Sequence, residues 1–280
     1  MAVTPADRDV ALPAEDRTGA VPQRSLWRRN ENLLLGLSSV AAFLAFWELA
    51  VDLGWANPLF TSSPSRIFAT TYQMFADGSI YPDLLVSGEE FVLGFGLAVI
   101  VGVPLGILMG WYTRLNALLD PFVNALYASP RIALMPLIII WFGIDLKAKI
   151  AIIFLSTVFP ILVNTMTGVR AMERDFVKVA RSFGATDRQL FRTVALPSSV
   201  PNLLTGLRLG LGHALIGIVV GEMNGATAGI GYMMSVAGNT FQTDKVMVGL
   251  LIIAGSGIAL TQVLRMIEAR FDKWRPDYHV

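Results

Sequence analysis

A chain of 280 residues that is 54% hydrophobic and 15% charged is too apolar for an ordinary soluble domain. A net charge of +1 supplies no global field for nucleic acid, and with no cysteine there are no disulfides, thiolate metal sites or redox pairs. The apolar residues fall in long runs separated by short polar intervals, the pattern of an all-α integral membrane protein.

Residues 1–30 are polar, with Asp7, Asp9, Glu15 and Asp16 set against Arg8, Arg17, Arg24, Arg28 and Arg29, and predict a disordered cytoplasmic tail. The tail lacks the apolar middle of a cleavable signal peptide, so the first span is expected to act as the insertion signal. A hydrocarbon core of about 30 Å needs roughly 20 helical residues. Runs at about 33–53, 83–111, 118–143, 150–169, 203–220 and 246–266 meet that need, predicting a six-helix transmembrane domain over 31–275 and a short tail at 276–280.

Within this frame, Ser63-Pro64 reads as a helix start, with Ser as N-cap and Pro in the first turn. Ile67, Phe68, Thr71, Tyr72 and Phe75 give that helix an apolar face, predicted to lie along the outer membrane surface. Glu89 and Glu90 are expected at the outer end of the second span. Gly102, Gly106 and Gly110 recur every four residues, as do Gly206–Gly210 and Gly217–Gly221, a spacing that lets helix backbones approach in lipid. Packing within the chain is the commoner use of such a stripe; a sliding or dimer-facing helix is the other. The third span is broken by Pro130 and Pro136 and should kink.

Glu173 to Arg208 is the longest charged interval between apolar runs, and 170–202 reads as a loop between spans. Two amphipathic segments flank Gly184, and Thr186-Asp187-Arg188-Gln189 reads as a capping box that restarts the helix. Ala180, Phe183, Leu190 and Phe191 are expected to supply apolar contacts. Beyond the fifth span, Gly229 to Met234 predicts a short helix dipping back toward the bundle.

Basic residues set the expected orientation. Sixteen of the twenty-two Lys and Arg lie on the side shared by both termini and by 170–202. Four (Arg66, Lys147, Lys149, Lys245) lie on the other side, and Arg131 and Arg208 lie within spans. The asymmetry places both termini in the cytoplasm. Trp27, Trp111 and Trp274 then mark the inner interface, and Trp47, Trp55 and Trp141 the outer one.

Catalytic signatures are absent. The chain has no G-x-x-x-x-G-K-[ST], no H-E-x-x-H and no G-x-S-x-G, and its only histidines are His213 and His279. No enzyme activity, metal or cofactor is expected. Lone His213 reads more readily as a packed, hydrogen-bonded residue than as a ligand. Arg131, beside Pro130 and halfway along a span, either attracts an anion along a translocation path or is paired with an acidic residue or with carbonyls freed at the proline. Arg208, near the cytoplasmic end of its span, favours snorkelling or a bond to the charged loop. Glu222 closes the fifth span and acts either as a gate on that path or as an anchor. Asn124 and Asn164 are expected to bond between helices.

Ala180-Arg181-Ser182-Phe183-Gly184, then nine residues, then Val194-Ala195-Leu196-Pro197, resembles the cytoplasmic EAA loop of ABC importer permeases. That pattern is a glutamate and two alanines, three residues, a glycine, nine residues, a β-branched aliphatic, any residue, then Leu-Pro. Here Lys178 and Val179 replace the glutamate and the first alanine. Gly94-Phe95-Gly96, Gly102-Val103-Pro104, Pro130 to Leu137, Trp141-Phe142-Gly143, Gly206-Leu207-Arg208 and Gly229-Ile230-Gly231-Tyr232 are similar to the nitrate, taurine and aliphatic-sulfonate branch.

The resemblance covers about 33–275 and implies a type I importer transmembrane domain of the MetI-like kind in a bacterial inner membrane. It implies a homodimer that binds two ABC ATPase subunits, with ATP and Mg held by those partners. It also implies a periplasmic or lipid-anchored binding protein that delivers a small, anionic solute. Lys178, Ala180, Phe183, Gly184, Leu190, Val194, Leu196 and Pro197 would then form the ATPase-coupling loop. The alternatives are an ion-coupled secondary transporter, for which intramembrane carboxylates look scarce, and a membrane scaffold.

Overall fold

The computed structural model describes residues 26–172 and 174–270, with side chains from 33 onward, Arg174 excepted. Most of the predicted N-terminal tail, the C-terminal tail, Glu173, Trp274, His279 and the side chain of Trp27 lie outside the described residues. The chain divides into two units, residues 1–49 and 50–280. The first carries most of α1 (Leu26–Asp52), so helix reaches into the last residues of the predicted tail. Apolar residues surround this helix (Leu33, Leu34, Leu35, Leu37, Val40 and Phe43 among them), as a segment bathed in hydrocarbon requires.

The second unit is built from short helices α2 (Pro58–Thr61) and α3 (Pro64–Ala76), then α4 (Tyr81–Trp111), α5 (Thr113–Ala128), α6 (Met135–Phe142) and α7 (Leu146–Arg170). A polar connection carries α8 (Arg174–Ser182) and α9 (Asp187–Leu190). Then follow α10 (Leu196–Gly225), α11 (Ile230–Asn239) and α12 (Thr243–Ala269). Among the described residues there is no strand. Five helical runs among the described residues are long and apolar enough to cross a membrane, and α5 with α6 makes a sixth if the bent pair is one span.

That pair departs from the expected kink: its two arms meet at 92°. The residue before a proline is driven out of the helical region, and Ser129 is extended at φ −70°, ψ 140° ahead of Pro130. The chain re-enters helix through a 3₁₀ turn, Arg131–Leu134, before α6. The predicted single span is therefore two helices with Arg131 at their elbow.

Helix α7 is the axis of the unit, packed between α4 and α10, and burying Ile152, Ile153, Ile161 and Leu162. The glycine stripes make this possible. Gly94, Gly102, Gly106 and Gly110 of α4 all face α7, and Gly206, Gly210, Gly217 and Gly221 of α10 meet its other side. The stripes serve packing within the chain. At Gly106 an added Cβ would stand 2.6 Å from the Leu162 carbonyl oxygen and 2.8 Å from Thr165 Cβ. Because backbone cannot step aside as a side chain can, Gly106→Ala is expected to cost about 1–3 kcal/mol. Gly96→Ala, with nothing within 4 Å of its new methyl, is expected to be neutral or stabilising. Thermal melting of the two purified variants separates the outcomes, and equal melting points would contradict this packing.

Two elements differ from their sequence reading. In α3, Pro64 does occupy the first turn after an extended Ser63, but the expected apolar face splits. Ile67 and Met74 are buried, α3 packing along α12, while Phe68 and Tyr72 stay exposed. Helix α10 begins at Leu196 rather than 203, because α9 and a π turn over Phe191–Ala195 join it into one run, Asp187–Gly225. In that turn the Leu196 N–H donates to the Phe191 carbonyl, five residues back, which carries the helix into Pro197 without a lost donor in its first turn.

Candidate functional site

The polar features of the second unit include the connection between α7 and α10, a buried junction beneath α11, and the elbow at Arg131.

In the connection, α8 ends where Gly184 takes φ +80°. The Gly184 N–H donates to the Arg181 carbonyl (2.9 Å) and the Ala185 N–H to the Ala180 carbonyl (3.0 Å). This is a Schellman closure, and it explains why a glycine stands at position 184. The helix restarts at once: Thr186 Oγ1 accepts from the Gln189 N–H, and Gln189 Oε1 accepts from the Thr186 N–H (2.8 Å), completing the capping box. Arg181 spans the turn to Asp187 at 3.2 Å. Lys178, at the position of the usual glutamate, pairs with Asp175 of its own helix at 2.8 Å and is exposed.

The expected apolar contacts divide in two. Leu190 and Ala195 are buried, Val194, Leu196 and Pro197 are half-buried, and Phe191 meets Trp111 edge-on with ring centroids 5.1 Å apart. Phe183 packs on nothing of this kind: it is 88% exposed. With Phe176 and Val179, also exposed, it forms an i, i+3, i+7 apolar stripe along α8 and the residue after it, beside the charged Asp175, Lys178 and Arg181. A groove of about 870 Å³ runs beneath α8, lined by Trp111, Tyr112, Arg170, Lys178 and Leu190 among others.

The buried junction was not legible beforehand. Glu90, expected at a span end, is 0% exposed, and its Oε1 accepts from Lys149 Nζ at 2.5 Å. Lys149, expected in an outer loop, is itself buried, within α7. Beside this ion pair, Glu222 is also 0% exposed. Its Oε1 accepts from the Ser87 hydroxyl and its Oε2 from the Gly231 N–H, both at 2.5 Å. Ser87 Oγ in turn accepts from the Ile230 N–H (2.9 Å), and Asp83 accepts from the Gly229 N–H (2.8 Å). The first N–H groups of α11, which have no partner within their own helix, are thus satisfied by α4 and α10, and acidic groups sit where the helix dipole favours them. Glu222, anticipated on a translocation path as gate or anchor, has both oxygens hydrogen-bonded within the protein.

At the elbow, Arg131 Nη2 donates to the Tyr127 carbonyl (3.1 Å) and Nη1 to the Ser156 carbonyl (3.2 Å). The second acceptor has a clear origin. Ser156 would accept from residue 160 in a regular helix, but residue 160 is Pro160, inside α7, and has no N–H. The guanidinium also lies 5.3 Å from the Tyr127 ring centroid. Ser129, Pro130, Arg131, Ser156 and His213 line a cavity of about 220 Å³ together with Ile132 and Ile216. His213 Nδ1 donates to the Leu209 carbonyl at 2.9 Å.

The remaining polar expectations are revised. Arg208 does not bond to the charged connection; it pairs with Glu268 in the last turn of α12. Asn124 and Asn164 bond within their own helices, to Asp120 and to the Pro160 carbonyl, rather than between helices. Among the described residues no cluster suits a metal ion.

Comparison with known proteins adds descent to geometry. The family described as binding-protein-dependent transport system inner membrane component matches residues 102–273. The putative aliphatic sulfonates transport permease protein of Bacillus subtilis (strain 168) is 35% identical over 251 residues, covering 90% of this chain and 91% of that one. The taurine transport system permease protein of Escherichia coli (strain K12) is 32% identical over 253 residues, covering 89% and 92%. A chain of a crystal structure of an amino acid ABC transporter with histidines shares the fold at TM-score 0.59 with 15% identity, over 72% of this chain and 97% of that one. The chain belongs to the family of binding-protein-dependent transport system inner membrane components and is a transmembrane permease subunit of the ABC importer kind.

Proposed function

We propose that this chain pairs with a second copy to form the membrane path of an importer driven by two ABC ATPase subunits, which hold ATP and Mg. A periplasmic or lipid-anchored binding protein delivers the cargo, a small anion of the sulfonate, taurine, nitrate or carboxylate class. The protein lies in the bacterial inner membrane with both termini in the cytoplasm, a placement that the concentration of Lys and Arg at the α8–α9 end supports.

The observation that carries this reading is the connection between α7 and α10. A helix held at both ends by spans, closed by a Schellman glycine and recapped within three residues, presents Phe176, Val179 and Phe183 outward from a charged surface. An exposed aromatic on a rigid polar element is an anchor for a partner pocket. Seated in an ATPase, α8 transmits closure of that partner as a rigid displacement of α7 and α10. The sulfonate and taurine relatives support an anionic cargo, as does a guanidinium at mid-span without a carboxylate partner among the described residues.

The test is reconstitution in vesicles. The chain with its cognate ATPase and binding protein is expected to accumulate cargo only with ATP, and the chain alone is expected to accumulate none. Glu90 and Glu222 are intramembrane carboxylates of the sort that ion coupling requires, but both are committed to protein donors. Accumulation by the chain alone under an ion gradient would overturn the ATP-driven reading in favour of secondary transport. A stable complex that moves no solute would indicate a scaffold.

A further inference from the structure

We propose that the cavity at the α5–α6 elbow is a mid-membrane subsite for the oxyanion group of the cargo, held by the free N–H donors of Arg131 with His213 beside it. This inference rests on the importer reading above and names the place where the cargo pauses within the membrane.

Charge pairing is the first argument. Of the three basic side chains Lys149, Arg208 and Arg131, Lys149 has Glu90 and Arg208 has Glu268. Arg131 alone among these three lacks a carboxylate, having two carbonyls and the face of Tyr127. Carbonyl dipoles and a ring quadrupole orient a guanidinium but leave its unit charge uncompensated. An intramembrane charge of that kind faces a polar cavity or a counter-ion.

Geometry supplies the second argument. Two of the five guanidinium N–H donors are used, and they fasten the group to α5 on one side and α7 on the other. The rest have no protein partner among the described residues, and the side chain lines the cavity. A guanidinium held in one plane with donors to spare is suited to bidentate binding of a planar or tetrahedral oxyanion, which a lysine ammonium does not match. Depth is also appropriate, since Ser156 and His213 lie near the middles of α7 and α10. Apolar Ile132 and Ile216 lower the local dielectric and so strengthen the attraction.

His213 completes the wall. A carbonyl oxygen only accepts, so Nδ1 carries the proton in the bond to Leu209, and Nε2 is left without a partner among the described residues. It is available to a hydrogen-bond donor on the cargo, while Arg131 takes the negative end. The volume of about 220 Å³ holds several waters at about 30 Å³ each, and therefore an anion of a few heavy atoms in their place.

The absence of cysteine from the chain makes a direct test available. Ile216→Cys places one thiol in the cavity wall, and Ile140→Cys, exposed on α6, places one elsewhere. The permease purified with its ATPase is labelled with a maleimide in the presence of methanesulfonate. At a concentration ten times the dissociation constant, labelling at Ile216→Cys is expected to slow about tenfold, because only the unoccupied fraction reacts. Labelling at Ile140→Cys is expected not to change. Adding Arg131→Gln should abolish the protection, and Arg131→Lys should restore part of it.

Equal protection with and without Arg131→Gln would overturn the subsite. So would no protection of Ile216→Cys with Arg131 intact, a result that holds even if the double variant fails to assemble. Failure of the parent complex to import any anion with ATP would instead overturn the importer reading, so the two failures are distinguishable.

Discussion

Replacing Lys149 with methionine is expected to destabilise the folded unit by about 3–5 kcal/mol, the typical cost of leaving one partner of a buried ion pair behind. Glu90 is 0% exposed, its Oε1 has Lys149 as partner, and its Oε2 has no hydrogen-bond partner. Glu222 stands beside it, and its own donors are Ser87 and Gly231. Removing the ammonium therefore strands a carboxylate that cannot turn to water. The Glu90→Gln and Lys149→Met double variant removes both charges and is expected to recover most of the loss. Thermal melting of the four purified proteins completes a double-mutant cycle. A Lys149→Met protein that melts with its parent would show that the pair contributes nothing, whereas a double variant no better than the single would place the cost in packing.

At the other end of the bundle, Gly184→Pro and Phe183→Asp are expected to abolish co-purification of the ATPase while leaving membrane insertion intact. Proline cannot adopt φ +80° and has no N–H to donate to the Arg181 carbonyl, so the closure of α8 fails in two ways. Phe183→Asp acts differently. The side chain is 88% exposed, so the change leaves the fold alone and puts a charge where an apolar anchor is proposed. Loss of an anchor of this type costs about 2 kcal/mol or more, roughly thirtyfold in affinity. Retention of the ATPase by both variants would remove the coupling role from α8. Loss with Gly184→Pro alone would keep the turn and dismiss the aromatic.

These two sites lie at opposite ends of the same long helices. Helix α7 carries Lys149 near its first turn and joins α8 just after Arg170, and α10 runs from the π turn to Glu222. The glycine faces of α4 and α10 press backbone against α7, and tightly packed interiors transmit strain rather than absorb it. A displacement of α8 therefore has a stiff route to the junction beneath α11.

Much of this was readable from residues in order. Hydropathy located the apolar helices, the glycine stripes announced close packing, and Ser63-Pro64, Gly184 and Thr186 to Gln189 marked helix boundaries. Each of these depends on neighbours within a few positions, so chain order is enough. The reading failed where the deciding partner is distant. Glu89-Glu90 looked like the end of a span, and nothing near Glu90 indicates that Lys149, 59 residues away, meets it in the interior. Amphipathic periodicity marks Phe183 as an apolar contact without naming what covers it, and only the resemblance puts it in the ATPase-coupling loop.

By itself, then, the sequence determined the class of protein, the helices and their local caps, and the relationship to importer permeases, since hydropathy, turn chemistry and short motifs act locally. Only the tertiary structure decided which charges are neutralised and by what. It paired Lys149 with Glu90 and Arg208 with Glu268, committed Glu222 to the start of α11, and left Arg131 on two carbonyls at a right-angle bend. The reason is physical: in a membrane interior every charge and backbone donor needs a partner, and which partner it finds is set by the helix faces that packing brings together.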